Sequence, residues 1–155
     1  MVVVLALVAC STLTPAEKEA RRVAMAQAVK KALDDKHYKI DVQMMYPQRG
    51  PAKNISGNYS VEVKGDTLDS YLPYFGRSYR VPYGGGKGLN FTALIDHYSM
   101  ARDQKGAYLI DIELTNDEDT YTYLLTIYEN GSTTVDVRSR QRDPITFSGQ
   151  MDIEE

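Results

Sequence analysis

Three cations, Arg77, Arg80 and Lys87, are interleaved with Tyr74, Tyr79 and Tyr83 in the stretch SYLPYFGRSYRVPYGGGKGLNF, residues 70–91. These residue types suit one kind of chemistry. Guanidinium forks hold carboxylate, sulfate or phosphate, and phenol rings stack on sugars or cover apolar faces while offering a hydroxyl. An anionic glycan, a lipid headgroup or a peptide terminus fits the set. The same residues also suit packing, with Tyr74, Phe75 and Tyr79 plugging the end of a barrel and the arginines capping carbonyls. The two roles are compatible, and loops of this length without secondary structure tend to carry function.

Other chemistries find less support. GGGKG (residues 84–88) invites a phosphate-cradle reading, but that motif needs G-x-x-x-x-G-K-S/T opening a helix. Here Gly88 stands where the hydroxyl belongs, and a strand pattern follows. His37 and His97 lack metal-ligand spacing, and His97 and Asp96 are strand neighbours expected on opposite faces. No G-x-S-x-G elbow offers a nucleophile. Asp111 and Glu113 share a strand face at a spacing that paired carboxylates use, but they read as a solvated outer face. The acidic NDED stretch, residues 116–119, lacks the alternation of a calcium loop and reads as a hydrated turn. No cofactor is expected.

The N-terminus speaks to location. MVVVLALVAC is an apolar run ending in Cys10, the chain's one cysteine. It is too short for a bilayer span, which needs about 20 residues, and fits the end of a signal peptide. Leu7, Val8, Ala9 and Cys10 resemble the bacterial lipobox, in which the cysteine is lipidated. Residues 1–9 are therefore expected to be a signal peptide, with a start that lies upstream because no basic residue precedes the apolar run. Residues 10–14 are a tether. Ser11 follows Cys10 without an acidic signal, so the expected place is the outer membrane, facing the periplasm. A formal charge of −3 with scattered lysines and arginines argues against nucleic acid as a partner.

The elements that must position the aromatic segment follow from periodicity. Thr14, Pro15 and Glu17 mark the start of a helix with a capping box. Val23, Ala26, Val29 and Leu33 fall on one face, a thin one that rests against a sheet, and Glu17 and Arg21 are spaced to pair. After Lys36 the period becomes two. Tyr38, Ile40, Val42, Met44 and Tyr46 are expected on one face of the first strand. Further strands alternate through Val61 and Val63, Leu68 and Leu72, Tyr108 to Leu114, and Ile145, Phe147, Met151 and Ile153. Turns are expected at Lys64–Asp66 and at Asn130–Gly131. The chain thus reads as α+β, mostly β: an N-terminal helix followed by an antiparallel meander of about eight strands, barrel-like or half-barrel, in a single domain over residues 15–155.

LPYFGRSY (72–79), GLNF (88–91), the later NG and ITFSG together resemble a family of uncharacterised secreted proteins and lipoproteins from Bacteroidetes, classed as a domain of unknown function. The resemblance covers about residues 20–153. It implies a localisation and a domain extent and brings no substrate, cofactor or catalytic residue. Asp66, Thr67 and Leu68 also resemble the short O-glycosylation signal of Bacteroidetes periplasmic proteins, with Thr67 as acceptor. The resulting expectation is a lipid-anchored envelope protein acting as a non-catalytic binding or accessory module, with its ligand site at Tyr74, Arg77, Tyr79, Arg80, Tyr83 and Lys87. The alternatives are a structural partner in an outer-membrane assembly, a carrier of an apolar ligand inside the barrel and, with least support, a hydrolase.

Overall fold

The computed structural model describes residues 12–55, 57–74 and 88–153. It opens with one helix, α1 (Pro15–Asp34), started by the expected capping box. The Thr14 hydroxyl accepts from the Glu17 N–H at 3.2 Å, and the Glu17 carboxylate accepts from the Thr14 N–H at 3.1 Å. Glu17 is thereby engaged at the cap, so the expected pairing with Arg21 gives way to Glu19–Arg22, Lys30–Asp34 and Lys31–Asp35. All three pairs are exposed, where such contacts contribute at most about 1 kcal/mol each. The burying face is shorter than the sequence pattern suggests. Val29 and Leu33 are sealed in the core, whereas Val23 is 41% exposed. Only the last turns of α1 meet the barrel.

The remaining elements are nine strands: β1 (His37–Pro47), β2 (Lys53–Asn54), β3 (Ser60–Lys64), β4 (Thr67–Leu72), β5 (Leu89–Arg102), β6 (Tyr108–Thr115), β7 (Thr120–Ile127), β8 (Ser132–Ser139) and β9 (Ile145–Met151). Apart from the two-residue β2, each pairs antiparallel with its neighbours in sequence, and β1 pairs with β9 to close the ring. The result is an eight-stranded antiparallel barrel with β2 as an added strand against Met44 and Met45. Closure removes the outer edges that an open meander would expose. Inward positions carry Ile40, Val61, Leu68, Ile112, Tyr123, Leu125, Val135 and Phe147, all 1% exposed or less. Side chains therefore fill the interior, as expected for so few strands.

Two irregularities bend the barrel. In β1 the alternation slips between Val42 and Met44, so Met45 and Pro47 are buried while Tyr46 lies 41% exposed. The sequence pattern put Met44 and Tyr46 inward; an inserted residue reverses the faces beyond it. Gly149 sits opposite Val42 at this bulge, and a Cβ there would stand 2.0 Å from the Asp41 carbonyl oxygen. In β5 the register shifts between Ile95 and His97, so Asp96 and His97 are both exposed and not on opposite faces.

The up-and-down path sorts the connections onto two rims. The lower rim holds the C-terminal end of α1, the Gly65–Asp66 turn, whose Gly65 N–H donates to the Lys36 carbonyl at 2.7 Å, and the Tyr128–Gly131 turn. Asn130–Gly131 closes its hairpin as expected, within a four-residue turn where the Asn130 side chain accepts from the Ser132 N–H at 3.0 Å. The upper rim holds residues 48–55 and 57–59, the two ends of the β4–β5 connection at Tyr74 and Gly88, the 116–119 turn and the 140–144 loop.

Candidate functional site

The upper rim is a set of loops pinned by hydrogen bonds to main-chain groups. Asp119 is the hub. Its carboxylate accepts from the N–H groups of Thr120 at 2.7 Å, Arg140 at 3.3 Å and Gln141 at 3.1 Å, which joins the β6–β7 turn to the β8–β9 loop. Asn116 closes its own turn, its side-chain oxygen accepting from Glu118 at 2.8 Å and Asp119 at 2.9 Å. The stretch expected to be a hydrated turn is a structural clasp instead. Charged acceptors on backbone N–H groups are stronger than neutral ones.

The aromatic segment leaves and rejoins this frame at fixed points. Leu72 and Leu89, the last partners of β4 and β5, are both buried. Tyr74 is half-buried on the rim. Its hydroxyl donates to the Asp143 carbonyl at 3.1 Å, and the Arg142 guanidinium lies 5.0 Å from its ring centroid. On the return side, Gly88 has φ +62, and its carbonyl accepts the Tyr121 hydroxyl at 3.2 Å. β5 starts at Leu89, so a strand stands where a phosphate-cradle motif would need a helix.

Below the rim lies an aromatic floor. The Phe91 ring is 4.9 Å from Tyr121 and 6.4 Å from Tyr123. Ser70 donates to the Leu89 carbonyl at 2.8 Å, so the Tyr123 hydroxyl, also 2.8 Å away, donates to Ser70. Burial pushes the phenols of Tyr121 and Tyr123 above their ordinary range, because the charged form would lose its water. They are neutral hydrogen-bonding groups at physiological pH.

Of the residues singled out in the sequence, Tyr74 sits on this rim as a packed, hydrogen-bonded ring. Arg77, Tyr79, Arg80, Tyr83, Lys87 and Cys10 lie outside the described residues. Thr67 opens β4 beside the Gly65–Asp66 turn, half-buried and directed outward because Leu68 points in. Asp111 and Glu113 face outward between Ile110, Ile112 and Leu114. Sequence reasoning missed Asp119, Arg142 and Asp143. Asp119 carried a faint signal, an acidic residue immediately before a strand; the other two carried none.

The fold and sequence point the same way in comparisons. A DUF4251 family protein from Bacteroides eggerthii DSM 20697 has a similar crystal structure, with a TM-score of 0.65 over 87% of this chain and 91% of that one. At 14% identity the likeness shows a shared barrel. No curated protein matches the chain. The family model described as Domain of unknown function (DUF4251) matches residues 20–151, from within α1 to the end of β9, and so takes in the whole barrel and its rim. By that match the chain belongs to the DUF4251 family.

Proposed function

We propose that this DUF4251 protein is a lipid-anchored module of the bacterial envelope that binds its ligand at the upper rim of the barrel. Cys10 carries the lipid, the domain faces the periplasm from the outer membrane, and Tyr74, Arg77, Tyr79, Arg80, Tyr83 and Lys87 form the ligand site. The observation that carries the reading is that both ends of the aromatic segment are held on a rigid frame, Tyr74 on the Asp143 carbonyl and the Gly88 carbonyl on Tyr121. Ends anchored in this way shorten the chain that binding has to order, which lowers the cost of binding. The filled interior supports a rim site over carriage of an apolar ligand within the barrel. The ligand chemistry that suits guanidinium and phenol groups together is an anionic glycan, a lipid headgroup or a peptide terminus. The rim also suits a protein partner in an envelope assembly, and that is the second reading.

Thermal unfolding of the full chain carrying Cys10→Ser tests the site against sulfated and uronic glycans, phospholipid headgroups, lipopolysaccharide fragments, bile acids and peptides. A ligand at 100 times its Kd stabilises by about 2.7 kcal/mol. One class is expected to raise the midpoint, and the double variant Arg77→Ala, Arg80→Ala is expected to lose that rise while keeping its own midpoint. No rise with any class, together with a variant that has already lost several kcal/mol without ligand, assigns the arginines to packing and sinks the binding role.

Location is checked in a Bacteroidetes host. The wild-type chain is expected in the detergent phase, and Cys10→Ala in the aqueous phase. If Thr67 carries a glycan, Thr67→Ala migrates faster on a denaturing gel. Unchanged partitioning would end the lipid-anchor reading, and unchanged mobility would end the glycan reading.

A further inference from the structure

At its start, β5 has a short length of edge that no described strand covers. Ile95 donates to the Asp66 carbonyl at 2.7 Å, which fixes the phase of the β4–β5 ladder. Phe91 and Ala93, four and two residues back, are then the residues bonded to β4, opposite Ser70 and Leu68. The intervening Asn90 and Thr92 turn their N–H and C=O groups the other way, toward β6. There the ladder has stopped: the last partners are Ile95 and Leu114, and β6 ends at Thr115 before the chain turns away. Among the described residues, no strand pairs with this side of Asn90 and Thr92. The gap is a groove of about 680 Å³ lined by residues 90–94 of β5 and, from β6 and the turn after it, by Thr115, Asn116 and Asp117. Leu94 is 70% exposed.

We infer that this groove takes a short extended peptide with basic side chains, which adds to β5 as a strand over Asn90–Leu94. The unpaired N–H and C=O groups supply the main-chain recognition that strand addition uses. Because the β6–β7 turn walls the far side, the groove admits one extended segment and excludes the edge of a second barrel. Charge selects the side chains. Asp69 lies on β4, one strand away across β5, where it accepts the Thr92 hydroxyl at 3.2 Å within reach of a long basic side chain, and Asp96 follows Leu94 by two residues. Both carry carboxylates without a salt-bridge partner among the described residues. A β-branched residue between the basic ones would cover Leu94. This site uses the main chain of β5 and does not depend on Arg77 or Arg80.

Amide hydrogen exchange on the full chain carrying Cys10→Ser tests the inference. In the free protein, Asn90 and Thr92 are expected to exchange fast while Phe91 and Ala93 are slow. Protection of Thr92 equal to that of Phe91 would show the edge already paired and end the proposal. The probe is acetyl-Lys-Val-Thr-Val-Lys-amide. At ten times its Kd it is expected to slow Asn90 and Thr92 about tenfold, with the same effect in the Arg77→Ala, Arg80→Ala variant. The peptide methylated on its backbone nitrogens cannot pair and is expected to have no effect, which keeps the test independent of any variant that fails to fold. No protection by the basic peptide at millimolar concentration, or equal protection by the methylated peptide, overturns strand addition. Equal protection by acetyl-Glu-Val-Thr-Val-Glu-amide overturns the basic preference.

Discussion

Gly149→Ala is expected to destabilise the barrel by about 3 kcal/mol or more, a large loss for a single methyl group. The added Cβ would stand 2.0 Å from the Asp41 carbonyl oxygen, 2.8 Å from the Asp41 carbonyl carbon and 2.9 Å from the Val42 Cα. All three are main-chain atoms, so no rotamer change relieves the clash. Either β9 moves away from β1 or the bulge between Val42 and Met44 is rebuilt, and both loosen the pairing that closes the ring. Gly65→Ala is the contrasting case. Its added Cβ meets nothing within 4 Å, so the cost comes from φ +60 alone and should be about 1 kcal/mol. Urea unfolding of the two variants separates steric closure from backbone conformation. A loss at Gly149 no larger than that at Gly65 would mean that the β1–β9 seam is not tightly closed.

Tyr123→Ala is expected to cost about 3–5 kcal/mol, the range for truncating a large buried aromatic side chain. The ring is 0% exposed and sits in the aromatic floor with Phe91 and Tyr121. Tyr123→Phe keeps the ring and removes the hydroxyl that donates to Ser70; since Ser70 still reaches the Leu89 carbonyl, the cost should be about 1 kcal/mol. The same residue sets an alkaline limit. Burial raises the Tyr123 phenol above its ordinary value of 10.0, and Tyr38, bonded to Tyr98 at 2.9 Å, is raised for the same reason. A raised phenol keeps its proton in the folded state after the unfolded chain has lost it. The stability it contributes is complete below about pH 10 and falls as pH rises further. Urea midpoints should therefore be level between about pH 8 and 9.5 and drop at about pH 11, with a smaller drop in Tyr123→Phe. A flat profile across that range would place water beside these phenols.

The alternation of Tyr108, Ile110, Ile112 and Leu114 made the strands legible, and the succession of short turns made the antiparallel meander legible. The bulges were not. A bulge depends on how two strands meet, and the register of β1 against β9 cannot be read from β1 alone. Gly149, a glycine inside a strand pattern, was the available sign, since such a glycine often marks close backbone approach. At the rim, Tyr74 was legible as an aromatic beside a glycine-rich segment. Asp119 and Arg142 were not, because Asp119 engages N–H groups some twenty residues away in sequence and Arg142 meets a ring from another loop. Helix capping sits at the other extreme: Thr14, Pro15 and Glu17 are local, and the cap formed as read.

The proposed binding surface is the upper rim, and neither the barrel interior nor the lower rim. Backbone amide chemical-shift mapping tests it most directly, using the full chain carrying Cys10→Ser and whichever compound stabilises it. Shifts are expected at Tyr74, Gly88 and Arg142, with Ile112, Leu125 and Gly65 unmoved. Shifts concentrated at Ile112 and Leu125, or around Gly65 and the end of α1, would contradict it.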